Sequence, residues 1–237
     1  MTGTYKFADK AVLISTQYPD THRYCQDYRV DTEAEIIVET NETDIDREIE
    51  RSPEGEGHSF SRGYLETLAV YRRIAEKMVE YDTFLFHGSA VAVEGEAYLF
   101  TASSGTGKST HTRLWRQLLG DRAVMVNDDK PLIRADGSTV RVFGTPYNGK
   151  HRLGCDMSAN LKALCILERS KENHIEEIDA AQAYPMLIQQ TYRPDSPLGL
   201  MKTMELIDRL ASGVKLYRLG CNMDISAAKI AYEAMKG

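Results

Sequence analysis

Tyr98-Leu99-Phe100-Thr101-Ala102-Ser103-Ser104-Gly105-Thr106-Gly107-Lys108-Ser109-Thr110 decides the fold class. An apolar, aromatic run reads as a strand, a glycine-bearing loop follows, and Leu114, Trp115, Leu118 and Leu119 then fall on one face of a helix over 112–119 that Gly120-Asp121 ends. Gly105 and Gly107 allow backbone conformations closed to other residues. Several main-chain N–H groups can then converge on one anion, and the helix N-terminus adds donors and a positive dipole end. Lys108 brings a full positive charge for β- and γ-phosphates, and Ser109 a hydroxyl for Mg2+. Ser103, Ser104, Gly105, Thr106, Gly107, Lys108, Ser109 and Thr110 are therefore the candidate nucleotide-binding residues, with ATP or another nucleoside triphosphate and Mg2+ as the expected cofactors. The usual pattern, G-x-x-x-x-G-K-[ST], places glycine at position 102, where this chain has alanine, the smallest change available. Thr110 reads as a helix-start residue, and His111 as a surface histidine, with a contact to the nucleotide as the alternative.

Downstream, the apolar strand Ala123–Val126 stops at Asn127-Asp128-Asp129. Ligands of α/β sheets bind beyond the carboxyl ends of strands, which puts these carboxylates near the loop. One can help hold Mg2+ and the other can take a proton from an attacking hydroxyl. Two adjacent acids repel, so a metal or Lys130 has to offset them. An Asx-type turn without chemistry is the alternative. Upstream, His87 precedes Gly88 within the apolar run Phe84–Val93; a buried, satisfied histidine and a site residue both fit. The segment 144–154 is rich in turn residues and carries Lys150, His151 and Arg152. It is either a solvated basic loop or a source of cations for phosphate oxygens.

Farther out, residues 5–50 read as short strands, including 11–15 and 34–39, with a turn at Pro19-Asp20. Segment 41–57 is acidic and reads as a loop or exposed hairpin. Tyr64, Leu65, Leu68, Tyr71, Ile74, Ala75 and Met78 recur with helical spacing. Strands are expected at 131–133, 139–143 and 161–167, and helices at 180–190, 199–211 and 226–235. The expected fold class is α/β: a mixed β-sheet core carrying the phosphate loop, with an N-terminal β-rich segment over residues 1–60, a nucleotide-binding domain over 61–237, and C-terminal helices.

Composition narrows the partners. The 237 residues are 42% hydrophobic and 27% charged, with a net charge of -6, which disfavours nucleic acid and anionic membrane. No apolar run approaches the roughly 20 residues of a membrane helix, and Met1–Lys6 has no signal-peptide character. Cys25, Cys155, Cys165 and Cys221 show neither a C-x-x-C pair nor zinc spacing, so four reduced thiols and a cytoplasmic protein are expected. Self-association is left open.

Four features in order resemble the HPr kinase/phosphorylase and phosphoenolpyruvate carboxykinase type of P-loop protein: Phe86-His87-Gly88-Ser89-Ala90-Val91, Ser104-Gly105-Thr106-Gly107-Lys108-Ser109, Val126-Asn127-Asp128-Asp129, and a basic glycine loop followed by the strand 161–167. The resemblance covers about residues 84–170. It implies His87 beside the transferred phosphate, Asp128 as the base, Asp129 as a metal or hydrogen-bonding partner, and Lys150 and Arg152 on a loop that closes on substrate. An E-[VI]-R-G type signature is absent, and the first 80 residues do not resemble the regulatory domain of HPr kinases. The likeness is to the shorter HPr kinase-like proteins, some resembling serine kinases for free amino acids or small peptides and others placed with ribosomal peptide-modification systems.

The expected function is ATP-dependent phosphoryl transfer to a serine-type hydroxyl on a small molecule, peptide or protein. The catalytic candidates are Asp128, His87, Lys108 and Arg152; Lys150 joins the nucleotide-binding set, and Ser109, Asp129 and Asp128 are the metal candidates. A nucleotide-binding regulatory or assembly protein with little turnover is the alternative. A carboxykinase-like decarboxylating enzyme, which needs more cations for a dicarboxylate and a longer chain, is the third.

Overall fold

The computed structural model describes residues 1–52, 59–137, 139–149 and 151–237. The chain forms two compact units, Met1–Glu80 and Tyr81–Gly237.

In the first unit, β1 (Thr2–Phe7) pairs antiparallel with β2 (Lys10–Ser15), which pairs parallel with β3 (Ile36–Glu39). The turn expected at Pro19-Asp20 is the start of a short helix, α1 (Asp20–Tyr24). Residues 42–51 correct the loop expectation for the acidic segment: they form α2 (Glu42–Arg51). Its amino end is closed by a reciprocal cap, Asn41 accepting from the Asp44 amide and Asp44 from the Asn41 amide. The acids are offset by α3 (Arg62–Met78), whose Arg72 lies 2.6 Å from Glu48 and whose Arg73 lies 2.6 Å from Asp44. Residues 53–58, the rest of that acidic stretch, lie outside the described residues. α3 keeps the predicted apolar stripe inside, with Leu65, Tyr71, Ile74 and Met78 buried. Its Glu66 is fully buried and accepts from the amides of Gln17 and Tyr18 and from the Thr40 hydroxyl, so both of its oxygens are hydrogen-bonded. The first unit thus runs to Glu80, past the boundary at residue 60 expected from sequence, because α3 packs within it.

The second unit is mixed α/β, with a curled mixed sheet of nine strands among the described residues. In chain order come β4 (Thr83–Leu85), β5 (Ser89–Val93), β6 (Glu96–Thr101), α4 (Lys108–Leu119), β7 (Ala123–Asn127), β8 (Leu132–Asp136), β9 (Thr139–Phe143) and β10 (Ser158–Arg169). Then follow β11 (His174–Ile178), α5 (Ala180–Gln190), α6 (Pro197–Gly213), β12 (Lys215–Cys221) and α7 (Ile225–Met235). The run read as one strand from Phe84 to Val93 is broken at His87-Gly88, whose amides turn away to the carbonyls of Gln190 and Asp129. β12 interrupts the tail, where sequence suggested helices alone, and β11 precedes it.

Strand order is β4-β8-β9-β10-β6-β5-β7. The long β10 makes the curl: Ser158–Asn160 pair antiparallel with β9, whereas Ala163–Arg169 pair parallel with β12. Its other edge runs parallel to β6. Because β5 is antiparallel to both β6 and β7, the strands β7, β6, β10 and β12 all present their carboxyl ends at one rim of the sheet. Ala163, Cys165 and Leu167 of β10 join a buried cluster with Phe100, Leu114, Trp115, Ala228 and Ala231, which places α4 and α7 over this part of the sheet. Leu164 and Ile166 are also buried and alternate to the opposite side, which is why β10 reads as an unbroken apolar run.

Candidate functional site

At the shared rim, β6 ends at Thr101 and the chain curls through residues 102–107 into α4. Gly105 and Gly107 hold φ of 75° and 124°, values that side chains resist. The curl is closed by the Thr106 amide on the Ser103 carbonyl, and the helix is entered by the His111 amide on the Gly107 carbonyl. The amides of Gly107, Lys108 and Ser109 have no backbone acceptor among the described residues, as the first turn of a helix requires. Helix α4 starts at Lys108, so Thr110 sits inside its first turn. Ser103, Ser104, Gly105 and Ser109 are exposed, Thr106, Gly107 and Thr110 half-buried.

Lys108 is buried and its Nζ donates to the Ala102 carbonyl at 3.1 Å. Burial pulls its pKa below the ordinary lysine value, and the nearby Asp129 and Asp128 charges oppose that pull. The loop lysine and the aspartate pair expected from sequence therefore share one electrostatic neighbourhood.

The aspartates are held by a turn that neither of them makes. Asn127 Oδ1 accepts from the Asp129 and Lys130 amides at 2.9 and 2.8 Å, and its Nδ2 donates to Thr145 Oγ1 at 3.0 Å. Thr145 Oγ1 reaches back to the Lys130 carbonyl. The Asx turn weighed as an alternative is present, and Asn127 builds it, which leaves both carboxylates for other partners. Asp128 is buried and its Oδ1 accepts from Ser89 Oγ at 2.7 Å. Ser89 Oγ lies 3.0 Å from Thr112 Oγ1 on α4. Ser89 gives its single proton to Asp128, which leaves Thr112 as the donor to Ser89. A hydroxyl chain thus runs from α4 through β5 to Asp128.

Asp129 Oδ1 lies 3.3 Å from His87 Nε2. Burial raises the Asp129 carboxyl, but the His87 hydrogen bond and the Lys130, His87 and Lys108 charges outweigh it and leave the pKa below the usual carboxylate range. The His87 carbonyl accepts from Thr101 Oγ1, which ties its backbone to β6.

The glycine segment after β9 wraps the end of β7. A Cβ at Gly144 would sit 1.9 Å from the Cys155 carbonyl, so only glycine fits there. One at Gly149 would press on Asp128 Oδ2 at 3.2 Å. Arg152 is exposed, in a turn closed by its amide on the Gly149 carbonyl, with φ of 47°. Lys150 lies outside the described residues. The structure gathers Lys108, His87, Asp128 and Asp129 at one place and leaves Arg152 on the exposed side of the neighbouring loop.

Sequence reading missed Ser89, Thr112, Asn127 and Thr145. It also misplaced His111, which is not on the surface: the residue is 2% exposed and its Nε2 accepts from Trp115 Nε1 at 3.0 Å. The i, i+4 spacing with the chain's one tryptophan was the available signal.

Among the described residues no group of three or more His, Cys, Asp or Glu side chains converges to cage a metal. The oxygens of Ser109, Asp128 and Asp129 are hard donors of the kind Mg2+ takes when phosphates complete its shell. All four cysteines are free thiols, and among the described residues no helix is long and apolar enough to cross a membrane.

Fold and rim together define a mixed α/β protein with a glycine loop, a buried lysine and two aspartates at one end of its sheet. The chain belongs to the family of the SynChlorMet cassette protein ScmC, whose profile matches residues 63–204. Among solved structures, the HPr(Ser) kinase/phosphatase from Coxiella burnetii aligns over 65% of this chain and 99% of its own, with 9% identity and a TM-score of 0.33. No curated protein matches the chain.

Proposed function

We propose that the protein transfers a phosphoryl group from ATP, or another nucleoside triphosphate, to a hydroxyl on a small molecule, peptide or protein. The observation that carries this reading is the convergence of Lys108 and the unpaired loop amides with a buried, hydroxyl-anchored Asp128 at one rim.

In this reading the amides of Gly107, Lys108 and Ser109 hold the phosphates, with Lys108 between the β- and γ-groups. Ser109, Asp129 and Asp128 would hold Mg2+, which would neutralise charge on the transferring group. Ser89 occupies Asp128 Oδ1 and leaves Oδ2 to take the acceptor's proton. The acceptor oxygen then bonds to the γ-phosphorus as the bridge to the β-phosphate breaks, and ADP leaves. His87, oriented by Asp129, faces the transferred group, and Arg152 borders the acceptor side.

A nucleotide-binding regulator with little turnover would need the loop and not the proton acceptor. Incubation with labelled ATP, Mg2+ and a pool of serine-containing metabolites and peptides separates the two. Label transfer by the wild type, lowered about 10²–10⁴-fold in Asp128→Asn, is the expected result. Transfer that is equal in the two proteins removes Asp128 from the chemistry, and ATP binding without any transfer supports the regulator.

A further inference from the structure

Little inside the glycine loop holds its shape. Ser103, Ser104 and Gly105 are exposed, and among the described residues one backbone bond closes the curl, from the Thr106 amide to the Ser103 carbonyl at 3.3 Å. A Cβ at Gly105 would meet nothing within 4 Å, so no packing steadies the tip. Two cations reach carbonyls of the loop. Lys108 Nζ donates to the Ala102 carbonyl at the base at 3.1 Å, and Arg169 Nη2 donates to the Gly105 carbonyl at the tip at 2.6 Å. Their surroundings differ. Lys108 is buried and feels the charges of Asp128 and Asp129. Arg169 comes from β10, on the side of β6 away from β7 and the aspartates, and its polar partner among the described residues is that carbonyl.

The place from which Arg169 reaches is itself braced. Arg169 is the last residue of β10 and pairs with Cys221, the last of β12; the Ser170 amide donates to the Cys221 carbonyl at 3.0 Å. Beyond them Asn173 and Asn222 hold each other. Asn173 Nδ2 donates to Asn222 Oδ1 at 3.1 Å and to Ser226 Oγ on α7 at 2.9 Å, and Asn173 Oδ1 accepts from the Asn222 amide at 2.9 Å. Asn222 Nδ2 donates to the Lys171 carbonyl at 2.9 Å. The turns after β10 and β12 therefore form one cross-linked frame. From that frame Arg169 grips a single peptide unit of the loop. The unit is planar and trans, so a Gly105 carbonyl turned to Arg169 sends the Thr106 N–H the opposite way, toward Ser103. One guanidinium bond thus orients both ends of the unit and supports the curl, with Gly105 at φ of 75°.

Resting on the phosphoryl-transfer reading, we propose that Arg169 is a positioning residue for the donor: through the Gly105 carbonyl it holds the glycine loop in the curl that receives the phosphates, and it does not touch the donor itself. The two cations then divide the work. Lys108 exchanges the Ala102 carbonyl for phosphate oxygens, and Arg169 keeps its carbonyl throughout. Because Arg169 acts on the loop, its effect is the same for any polyphosphate the loop holds.

The test titrates the full chain with Mg2+–ATP and with Mg2+–tripolyphosphate, as wild type, Arg169→Met, Arg169→Lys and Lys108→Ala. Arg169→Met keeps an unbranched apolar stem and loses the donors. It should weaken both ligands by the same factor, about three- to tenfold, with the thermal midpoint unchanged because the side chain is exposed. Arg169→Lys, which can still give one charged hydrogen bond, should recover most of that loss. Hydrogen exchange at the Thr106 amide, measured without ligand, should speed up in Arg169→Met and return toward the wild-type rate in Arg169→Lys. Affinity lost in Lys108→Ala and untouched in Arg169→Met would overturn the role of Arg169 and leave the loop reading standing. A loss confined to ATP, or weakened binding with Thr106 exchange unmoved, would show a direct contact with the ligand and overturn the positioning role. Binding of both ligands that survives Lys108→Ala would overturn the loop reading and the role of Arg169 with it.

Discussion

Asp128 shows how much of the candidate chemistry depends on residues that carry no motif. Its carboxylate is fixed through Ser89, and Ser89 through Thr112, contacts made across 39 and 23 positions of sequence. A charge-assisted hydrogen bond is worth about 1.5–3 kcal/mol, so Ser89→Ala should lower kcat about ten- to a hundredfold with donor affinity unchanged. Thr112→Val should follow it part of the way, and Thr112→Ser, which restores the hydroxyl, should recover the rate. An equal loss in Thr112→Ser and Thr112→Val would show that the methyl packing matters and the hydroxyl does not. His111 gives a stability prediction with a definite sign. Its folded pKa of about 4 lies below the unfolded value of about 6.5, so between those values the unfolded chain binds a proton that the folded one excludes. Its contribution is whole above about pH 6.5 and is lost as pH falls toward 4, by up to about 3 kcal/mol. Denaturant midpoints read from Trp115 fluorescence should show a slope in that window which His111→Gln removes. The loop, Lys108, Asp128 and Asp129 were legible because each is a local pattern. Asn127, Ser89, Thr112 and Thr145 were not, because asparagines, serines and threonines are common and their roles here exist only through distant partners.

At the level of elements, the strand–loop–helix unit is the feature most fully written in local sequence. The aromatic strand, the two glycines and the stripe of Leu114 and Trp115 each agree with the observed β6 and α4. Gly107 adopts φ of 124°, so Gly107→Ala should destabilise the second unit by about 1–3 kcal/mol and weaken donor binding at the same time. Denaturation with separate binding measurements on the folded variant distinguishes the two effects; full stability in the variant would show that the backbone there is unstrained. The misread elements share a cause. Helix α2 is acidic and polar alone, and it becomes a helix because Arg72 and Arg73 of α3 meet its buried acids. β12 is a short mixed run that acquires its strand character from β10 on one side and β11 on the other. The break at His87-Gly88 depends on the carbonyls of Gln190 and Asp129, which no window around residue 87 contains.

For the whole molecule, the ScmC profile spans the end of the first unit and much of the second, including the loop, the aspartates and the glycine segment after β9. On the phosphoryl-transfer proposal, a chain with net charge -6 would have to hold the polyphosphate locally, through directed amides and one buried lysine rather than through an overall basic field. That requirement makes Lys108 the point at which the functional account is most exposed. Calorimetric titration of the full chain with Mg2+ and a non-hydrolysable ATP analogue tests it most directly. The account predicts one site, with affinity reduced at least about tenfold in Lys108→Ala while the thermal midpoint stays near that of the wild type. Binding of the same strength in both proteins, or no binding heat in the wild type, would contradict it.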